Sequence, residues 1–113
     1  MSTYLLRCKY TTAGYQGMLS NPTDRGEAIK PLFGAMGHKL LNFWFSPLTA
    51  EAYIMTEGDD DMAKFASSVM IVLGSGSVSD VQATMLIDSK TMLESMKTAG
   101  TITGAYKPPA ATS

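Results

Sequence analysis

Four stretches of this chain alternate two sets of residues with a period of two. Segments with helical periodicity precede the second and the fourth, and a short connection joins the second to the third. In the first stretch, YLLRCKY, an apolar set alternates with a set that contains Arg7 and Lys9. Such alternation is typical of strands whose two faces meet different surroundings. The four predicted strands are residues 4–10, 39–46, 50–57 and 78–87.

A first helix is predicted between the first two strands, after a loop at residues 11–24 with one helical turn near Tyr15 to Leu19. Asn21 or Thr23 is expected to cap it, and Gly37 to end it. Pro31 lies inside this helix and lacks an amide donor. We therefore expect the helix to bend there or to divide into two.

An acidic run, DDD at 59–61, precedes a second helix with an apolar stripe that ends at Gly74. Asp59 or Asp60 is expected to cap this helix, because aspartate accepts hydrogen bonds from first-turn amides. The run lacks the spacing of a calcium loop, so no metal site is predicted. A last helix, residues 89–98, is expected between the cap Asp88 and Gly100.

The order strand, helix, strand, strand, helix, strand, helix predicts an α+β protein. It corresponds to the ferredoxin-like βαββαβ arrangement, an antiparallel sheet covered by helices, with an added C-terminal helix. Residues 1–100 are expected to form one domain. Residues 101–113 are expected to be a tail that is irregular or packs on a neighbouring subunit.

One face of each strand is predicted to meet the helices. On that face we place Leu41, Phe43 and Phe45 of the second strand and Ser79 of the fourth. The opposite face is amphipathic, and a large patch of this kind usually marks an interaction surface. We expect the sheet of a second copy to stack on it. Its residues are Arg7, Lys9, Leu40, Asn42, Trp44, Glu51, Tyr53, Met55, Gln82 and Leu86.

Composition narrows the classes of partner. Nine basic and ten acidic residues give a net charge of −1, without the basic excess that accompanies nucleic-acid binding. No apolar stretch approaches the roughly 20 residues of a membrane-spanning helix. Cys8 is the only cysteine and no signal peptide is recognisable, so a cytoplasmic protein without membrane or nucleic-acid partners is expected.

Several short motifs in this order resemble the GYD domain family. They are YLLRCKYTTAG at the first strand, Arg25 in the first helix, MGHKLLNFWF at the second strand, GDDD before the second helix, and TAG then YKPP at the end. The resemblance implies a dimeric α+β barrel, and a ring of dimers is compatible with it. The family has no generally established activity, so the resemblance implies no mechanism.

The resemblance has one departure. Where the family has its Gly-Tyr-Asp signature, this chain has PLTAE, with Ala50 at the tyrosine position and Glu51 at the aspartate position. A role of that tyrosine does not carry over to Ala50. The wider group of such barrels includes cofactor-free monooxygenases, haem-degrading enzymes, isomerases and amino-acid-sensing regulators, and fold alone does not choose among them.

His38 and Tyr10 are the candidate catalytic residues. An imidazole titrates near neutrality, so His38 suits proton transfer at the mouth of a cleft between sheet and helices. Its ordinary structural role is that of a polar residue at a strand start, bonded to a backbone carbonyl. Tyr10 flanks the first loop, where its hydroxyl can bond a ligand, although it also fits as an aromatic plug.

The candidate ligand-binding residues are Asn42, Trp44, Tyr53, Arg7 and Lys9. The two cations suit a substrate carboxylate. The simpler expectation is that they pair with Glu51 or Asp80 on neighbouring strands. Trp44 equally suits the centre of a dimer interface. Cys8 has no adjacent base and is expected to be a small core residue.

We therefore expect a protein, at least dimeric, that binds a small organic molecule between sheet and helices, with any conversion of that molecule free of metal or bound cofactor. One alternative is a non-catalytic assembly or regulatory module. Another is a haem-binding or haem-degrading barrel, since Asn42, Trp44 and His38 share residue types with such proteins. A cavity of about 300 Å³ or more beneath the helices separates binding from assembly.

Overall fold

The computed structural model describes residues 1–109 and contains one four-stranded antiparallel sheet. In chain order the elements are β1 (Ser2–Tyr10), α1 (Thr12–Ser20), α2 (Arg25–Ala35), β2 (His38–Ser46), β3 (Glu51–Gly58), α3 (Met62–Gly74), β4 (Val78–Leu86), α4 (Ser89–Ile102) and a 3-10 turn (Thr103–Ala105). The strands lie in the order β2-β3-β1-β4. The predicted α+β class is confirmed, and the order is compatible with a ferredoxin-like sheet.

β1 lies between β3 and β4, so its side chains fix which residues share a face. Leu6 lies opposite Ile54 on β3 and opposite Ala83 on β4. Directly opposite side chains in an antiparallel pair lie on one face. That face carries the core, and burying one such side chain contributes about 1.5–3 kcal/mol. The core cluster is Tyr4, Leu6, Phe33, Met36, Ile54 and Phe65.

Two β-bulges change the predicted faces of the edge strands. In β2 the register shifts between Leu40 and Asn42, and Leu40 packs against the core. In β4 the shift lies opposite Arg7 and Lys9, and Ser79 pairs with Lys9 on the outer face. A bulge inserts one residue and reverses the alternation beyond it. The outer placement of Leu40 and the inner placement of Ser79 were therefore wrong.

α2 is a single helix that begins later than predicted. Its N-cap is Asp24, whose side chain accepts a hydrogen bond from the Glu27 amide at 3.1 Å. Asn21 and Thr23 do not cap it. Pro31 lies inside the helix without dividing it, because one missing donor leaves the hydrogen bonds of the flanking turns in place. The helix ends before Gly37, which has a φ of 78°, as predicted.

Each residue of the acidic run has a different role. Asp61 caps α3 through the amides of Ala63 and Lys64, so the prediction of Asp59 or Asp60 was wrong. Asp59 instead accepts from the Asp61 amide at 2.7 Å, and this bond, followed by that of Lys64, lowers its pKa. Asp60 accepts from the Tyr4 hydroxyl at 2.6 Å, the first cause of its own lowered pKa.

The first and last helices are longer than predicted. α1 forms a full helix capped by Thr11 where a loop with one turn was expected. α4 has the predicted cap, Asp88, but continues through Gly100 to Ile102. Every residue of α4 is exposed. The first residues of the predicted tail, 101–105, are therefore helical or in the 3-10 turn, and residues 110–113 lie outside the described part of the chain.

Gly14 sets how closely α1 approaches the connection between α3 and β4. The Thr11 amide donates to the Ser77 carbonyl at 3.0 Å, and the Thr11 hydroxyl donates to the Gly76 carbonyl at 2.6 Å. A Cβ on Gly14 would overlap the Ser77 carbonyl oxygen. The glycine is therefore required for this close approach.

Gly14→Ala should destabilise the protein by about 1–3 kcal/mol, because backbone on both sides of the contact resists the added methyl group. Gly17→Ala is the matched control in the same helix, since nothing lies within 4 Å of its added Cβ. That change should be neutral or stabilise by up to about 1 kcal/mol. Urea unfolding of both variants measures this, and an equal effect would contradict the predicted contact.

Candidate functional site

A cavity of about 690 Å³ lies between the core face of the sheet and helices α1, α2 and α3. Its walls are mainly aliphatic, which favours an apolar occupant. The volume exceeds about 300 Å³, the lower end of the range of small-molecule pockets. Apolar lining residues include Leu6 and Ile54 from the sheet, Met18 from α1, Ile29 from α2, and Val69 and Val72 from α3.

Tyr10 and Arg25 lie on the cavity wall, together with the uncharged polar residues Asn21, Thr23, Ser68, Ser75 and Ser77. Burial raises the pKa of Tyr10, Cys8 raises it further, and the guanidinium of Arg25 opposes the shift. The phenol therefore stays protonated at neutral pH. The Tyr10 and Tyr15 rings meet edge-on with centroids 5.7 Å apart, which holds Tyr10 in place.

Two buried polar atoms beside this site have no hydrogen-bond partner among the described residues. They are the hydroxyl oxygen of Tyr15 and Nε of Arg25. Buried polar atoms are rarely left unpaired, so each such atom calls for an explanation. Arg25 also makes no ion pair with a described carboxylate. A cation with spare donors on an apolar wall is suited to an anionic ligand.

Arg25 stands where a cation is unfavourable for helix stability. It is the first residue of α2, and the N-terminus of a helix carries partial positive charge. Stability alone would favour an acidic residue there. Its position suggests a role other than stabilising α2.

Cys8 lines the cavity from β1 and is buried, as predicted for a small core residue. Burial raises the pKa of its thiol, and the nearby Arg7 opposes the shift only in part. The thiolate is the nucleophilic form of cysteine. Cys8 is therefore a poor nucleophile at neutral pH.

His38 is buried in a separate site at the other end of the sheet. Its Nε2 lies 2.7 Å from the Asp59 carbonyl oxygen and its Nδ1 lies 3.1 Å from the Thr56 hydroxyl. A carbonyl only accepts, so Nε2 donates and, in a neutral ring, Nδ1 accepts from Thr56. The Tyr4 and Phe65 rings pack against the imidazole, with ring centroids 5.3 and 5.8 Å from its own.

The structure does not bring His38 and Tyr10 together. Tyr10 ends β1 opposite Val78, whereas His38 aligns through Gly58 with the start of that strand at Ser2. Eight residues of strand separate the two ends, about 27 Å. The contacts of His38 are those of a structural residue at a strand start, and its predicted catalytic role stays a prediction.

The five predicted ligand-binding residues lie on the opposite face of the sheet, away from the cavity. Trp44 and Tyr53 are directly paired, and Asn42 lies opposite Met55. Half of the Trp44 side chain, 50%, is exposed. These residues therefore do not share a site with Tyr10, and their role in binding stays a prediction.

Arg7 makes the cross-strand ion pairs that were expected of it. It pairs with Glu51 and, at 3.4 Å, with Asp80. The bond to Glu51 is the first cause of the raised pKa of Arg7. Desolvation alone would raise the pKa of Glu51, but hydrogen bonds from Arg7 and Thr49 outweigh this effect and lower the pKa. Lys9 lies directly opposite Glu51 on β3.

Two further properties concern only residues 1–109. No group of three or more His, Cys, Asp and Glu side chains there has an arrangement that could hold a metal ion. None of the helices in this range combines the length and apolar character needed to cross a membrane.

Comparison with known families gives one match that covers most of the chain. The model of the GYD domain matches residues 4–96, from the first strand to α4. No curated protein matches the chain. Sequence reasoning noted Arg25 within this resemblance but did not place it at a site. The signal that could have done so is a basic residue at the start of a helix.

In the folded protein, Cys8 should react with iodoacetamide at least about 10-fold more slowly than in the urea-unfolded chain at the same pH. The reason is that burial keeps the thiol protonated and covered. Cys8 is the only cysteine, so mass spectrometry of the intact chain reports this reaction alone. Equal rates in the two states would show that the thiol on the cavity wall is accessible and ionised.

Proposed function

Because the chain belongs to the GYD domain family, which by itself specifies no ligand, we propose a function from the geometry of this chain. It binds a small organic molecule, mainly apolar and with one anionic group, between the sheet and helices α1, α2 and α3. The observation that carries this proposal is the aliphatic cavity of about 690 Å³ with Arg25 on its wall.

In this proposal, Arg25 binds the anionic group of the ligand. Its buried Nε has no hydrogen-bond partner among residues 1–109 and is free to donate. A guanidinium binds a carboxylate through paired hydrogen bonds. The Tyr10 hydroxyl donates a further bond, and the apolar body of the ligand packs on side chains such as Ile29 and Val69.

The proposal concerns binding without turnover. Among the described residues that line the cavity there is no carboxylate and no imidazole. Its titratable groups are the phenol of Tyr10 and the thiol of Cys8, both with raised pKa values, and the guanidinium of Arg25. None of these is a base at neutral pH, so general-base catalysis has no support here.

The haem-binding alternative finds less support in the same geometry. His38 does not line the cavity, and both of its ring nitrogens are engaged by Thr56 and Asp59. Binding of haem through an imidazole in this cavity would therefore need His38 to leave its buried site.

As a second candidate function we propose assembly. In this proposal two copies of the chain pack sheet against sheet. The observation that favours it is the outer face of the sheet, where Trp44 is half exposed beside Tyr53. Tryptophan is favoured at the centre of interfaces. Arg7 is already paired with Glu51 and Asp80 within the chain, which lowers the cost of burying its charge.

Calorimetric titration with 2-naphthoate and with neutral 2-naphthylmethanol tests ligand binding. The wild-type protein should bind naphthoate more tightly than the alcohol. Arg25→Gln should weaken naphthoate binding by about 10-fold or more, the usual size of a lost charge-assisted hydrogen bond, and leave the alcohol unaffected.

Lys30→Gln is the matched control, since it removes one positive charge from an exposed position of the same helix, α2. It should change neither affinity. If neither probe binds the wild-type protein, the binding proposal fails. If Arg25→Gln leaves naphthoate affinity unchanged, the cavity binds but Arg25 is not its anion site.

A further inference from the structure

α4 is an amphipathic helix whose apolar side faces solvent. Met92, Leu93 and Met96 recur at helical spacing on one side, while Thr91, Glu94 and Thr98 lie on the opposite side. No residue of this helix is buried. A free helix of this length is marginal in water, so most of its stability must come from packing. α4 therefore needs a partner surface.

The same chain exposes a second apolar surface of matching length, which we call the α3–β4 groove. On α3, one flank carries four residues at helical spacing: Met62, Ala66, Met70 and Leu73. The other flank of α3 faces α2, where Ile71 and Ser67 adjoin Leu32. The groove is formed by Met62, Ala66, Met70 and Leu73 on α3 and by Ala83 and Met85 on the edge strand β4.

The groove is open although part of it lies on the core face of the sheet. Met85 pairs with Tyr4 and therefore shares the core face, yet 55% of it is exposed. On α3, 71% of Met70 is exposed. Thirteen residues of α3 and fourteen of α4 give helices of about 20 Å each, so one can lie along the other.

The dimensions of the chain indicate how much surface remains to be covered. Its radius of gyration is 18.7 Å, against about 13 Å for a compact domain of this length. It exposes 7777 Å², against about 6,000 Å² for a compact chain of this mass. Two chains that lose this excess on pairing bury roughly 3,500 Å², within the range of permanent homodimers.

We propose that α4 docks in the α3–β4 groove of a second copy of this chain, and that the second copy returns its own α4. Both surfaces belong to one sequence, and every residue of α4 is exposed, so α4 does not cover its own groove. A reciprocal exchange covers both surfaces in both copies and closes with two-fold symmetry. Glu94 on the polar side of α4 pairs with Lys97 at 3.6 Å, and this side stays in water.

Hydrogen–deuterium exchange of the α4 amides, followed over a dilution series from micromolar to nanomolar protein, tests this exchange of helices. In the wild-type dimer the α4 amides should exchange about 100-fold more slowly than in an unstructured peptide, and that protection should be lost wherever dilution dissociates the dimer. Met92→Glu with Met96→Glu should abolish it at every concentration. So should Met70→Glu, which changes only the receiving groove.

Thr91→Glu with Thr98→Glu is the matched control, because it adds the same two charges to the polar side of α4 and should retain protection. Exchange at the unstructured rate in the wild-type protein at micromolar concentration would overturn the proposal. So would protection of the α4 amides in a sample that light scattering shows to be monomeric, which would mean that α4 folds onto its own chain. Protection that survives Met70→Glu would reject the groove as the receiving surface.

Discussion

Apolar surface that one chain cannot cover by itself is the constraint on which the rest of this structure depends. The helices cover the centre of one sheet face, where Leu6 and Ile54 meet Phe33 and Phe65. They leave a cavity beneath them, and they leave β4 uncovered at its exposed edge. Within residues 1–109, no helix covers the other face of the sheet. Each of these surfaces requires a ligand or a second chain to remove it from water.

The cavity results from where the helices are fixed. α1 is bonded through Thr11 to the turn before β4, and Gly14 allows its close approach to Ser77. α2 is fixed by the cap Asp24 and by Phe33 in the core. Between these fixed points the helices lie above small or short side chains of the sheet, such as Cys8. These side chains do not fill the space, and the cavity remains open. Arg25 stands at the start of α2 and faces this space.

Period-two alternation and helical spacing predicted the class, the order of the main elements and the cap Asp88, because these depend on local sequence. They did not predict the bulges near Leu40 and at Asp80, where one inserted residue reverses the faces. Asp80 has a φ of 53°, a conformation that aspartate tolerates. The cap of α2 was misplaced because Asn21, Thr23 and Asp24 are all capable residues, and tertiary packing selects among them.

The candidate site was harder to predict than the fold. Residue chemistry drew attention to His38, the only histidine, and to Trp44, the only tryptophan. The structure places them apart from the cavity, in a buried hydrogen-bond network and on the outer face. Arg25 and the cavity depend on how three helices sit on the sheet, which no local pattern encodes. The extension of α4 past Gly100 was missed because an exposed glycine costs a helix only about 1 kcal/mol.

Fluorescence of Trp44 tests most directly whether a second chain covers this apolar surface. Trp44 is the only tryptophan, so its emission reports the outer sheet face without interference. At micromolar concentration the account predicts blue-shifted emission protected from iodide quenching, with a shift to the red on dilution to nanomolar protein. Water-exposed, fully quenchable emission throughout the dilution series would contradict it.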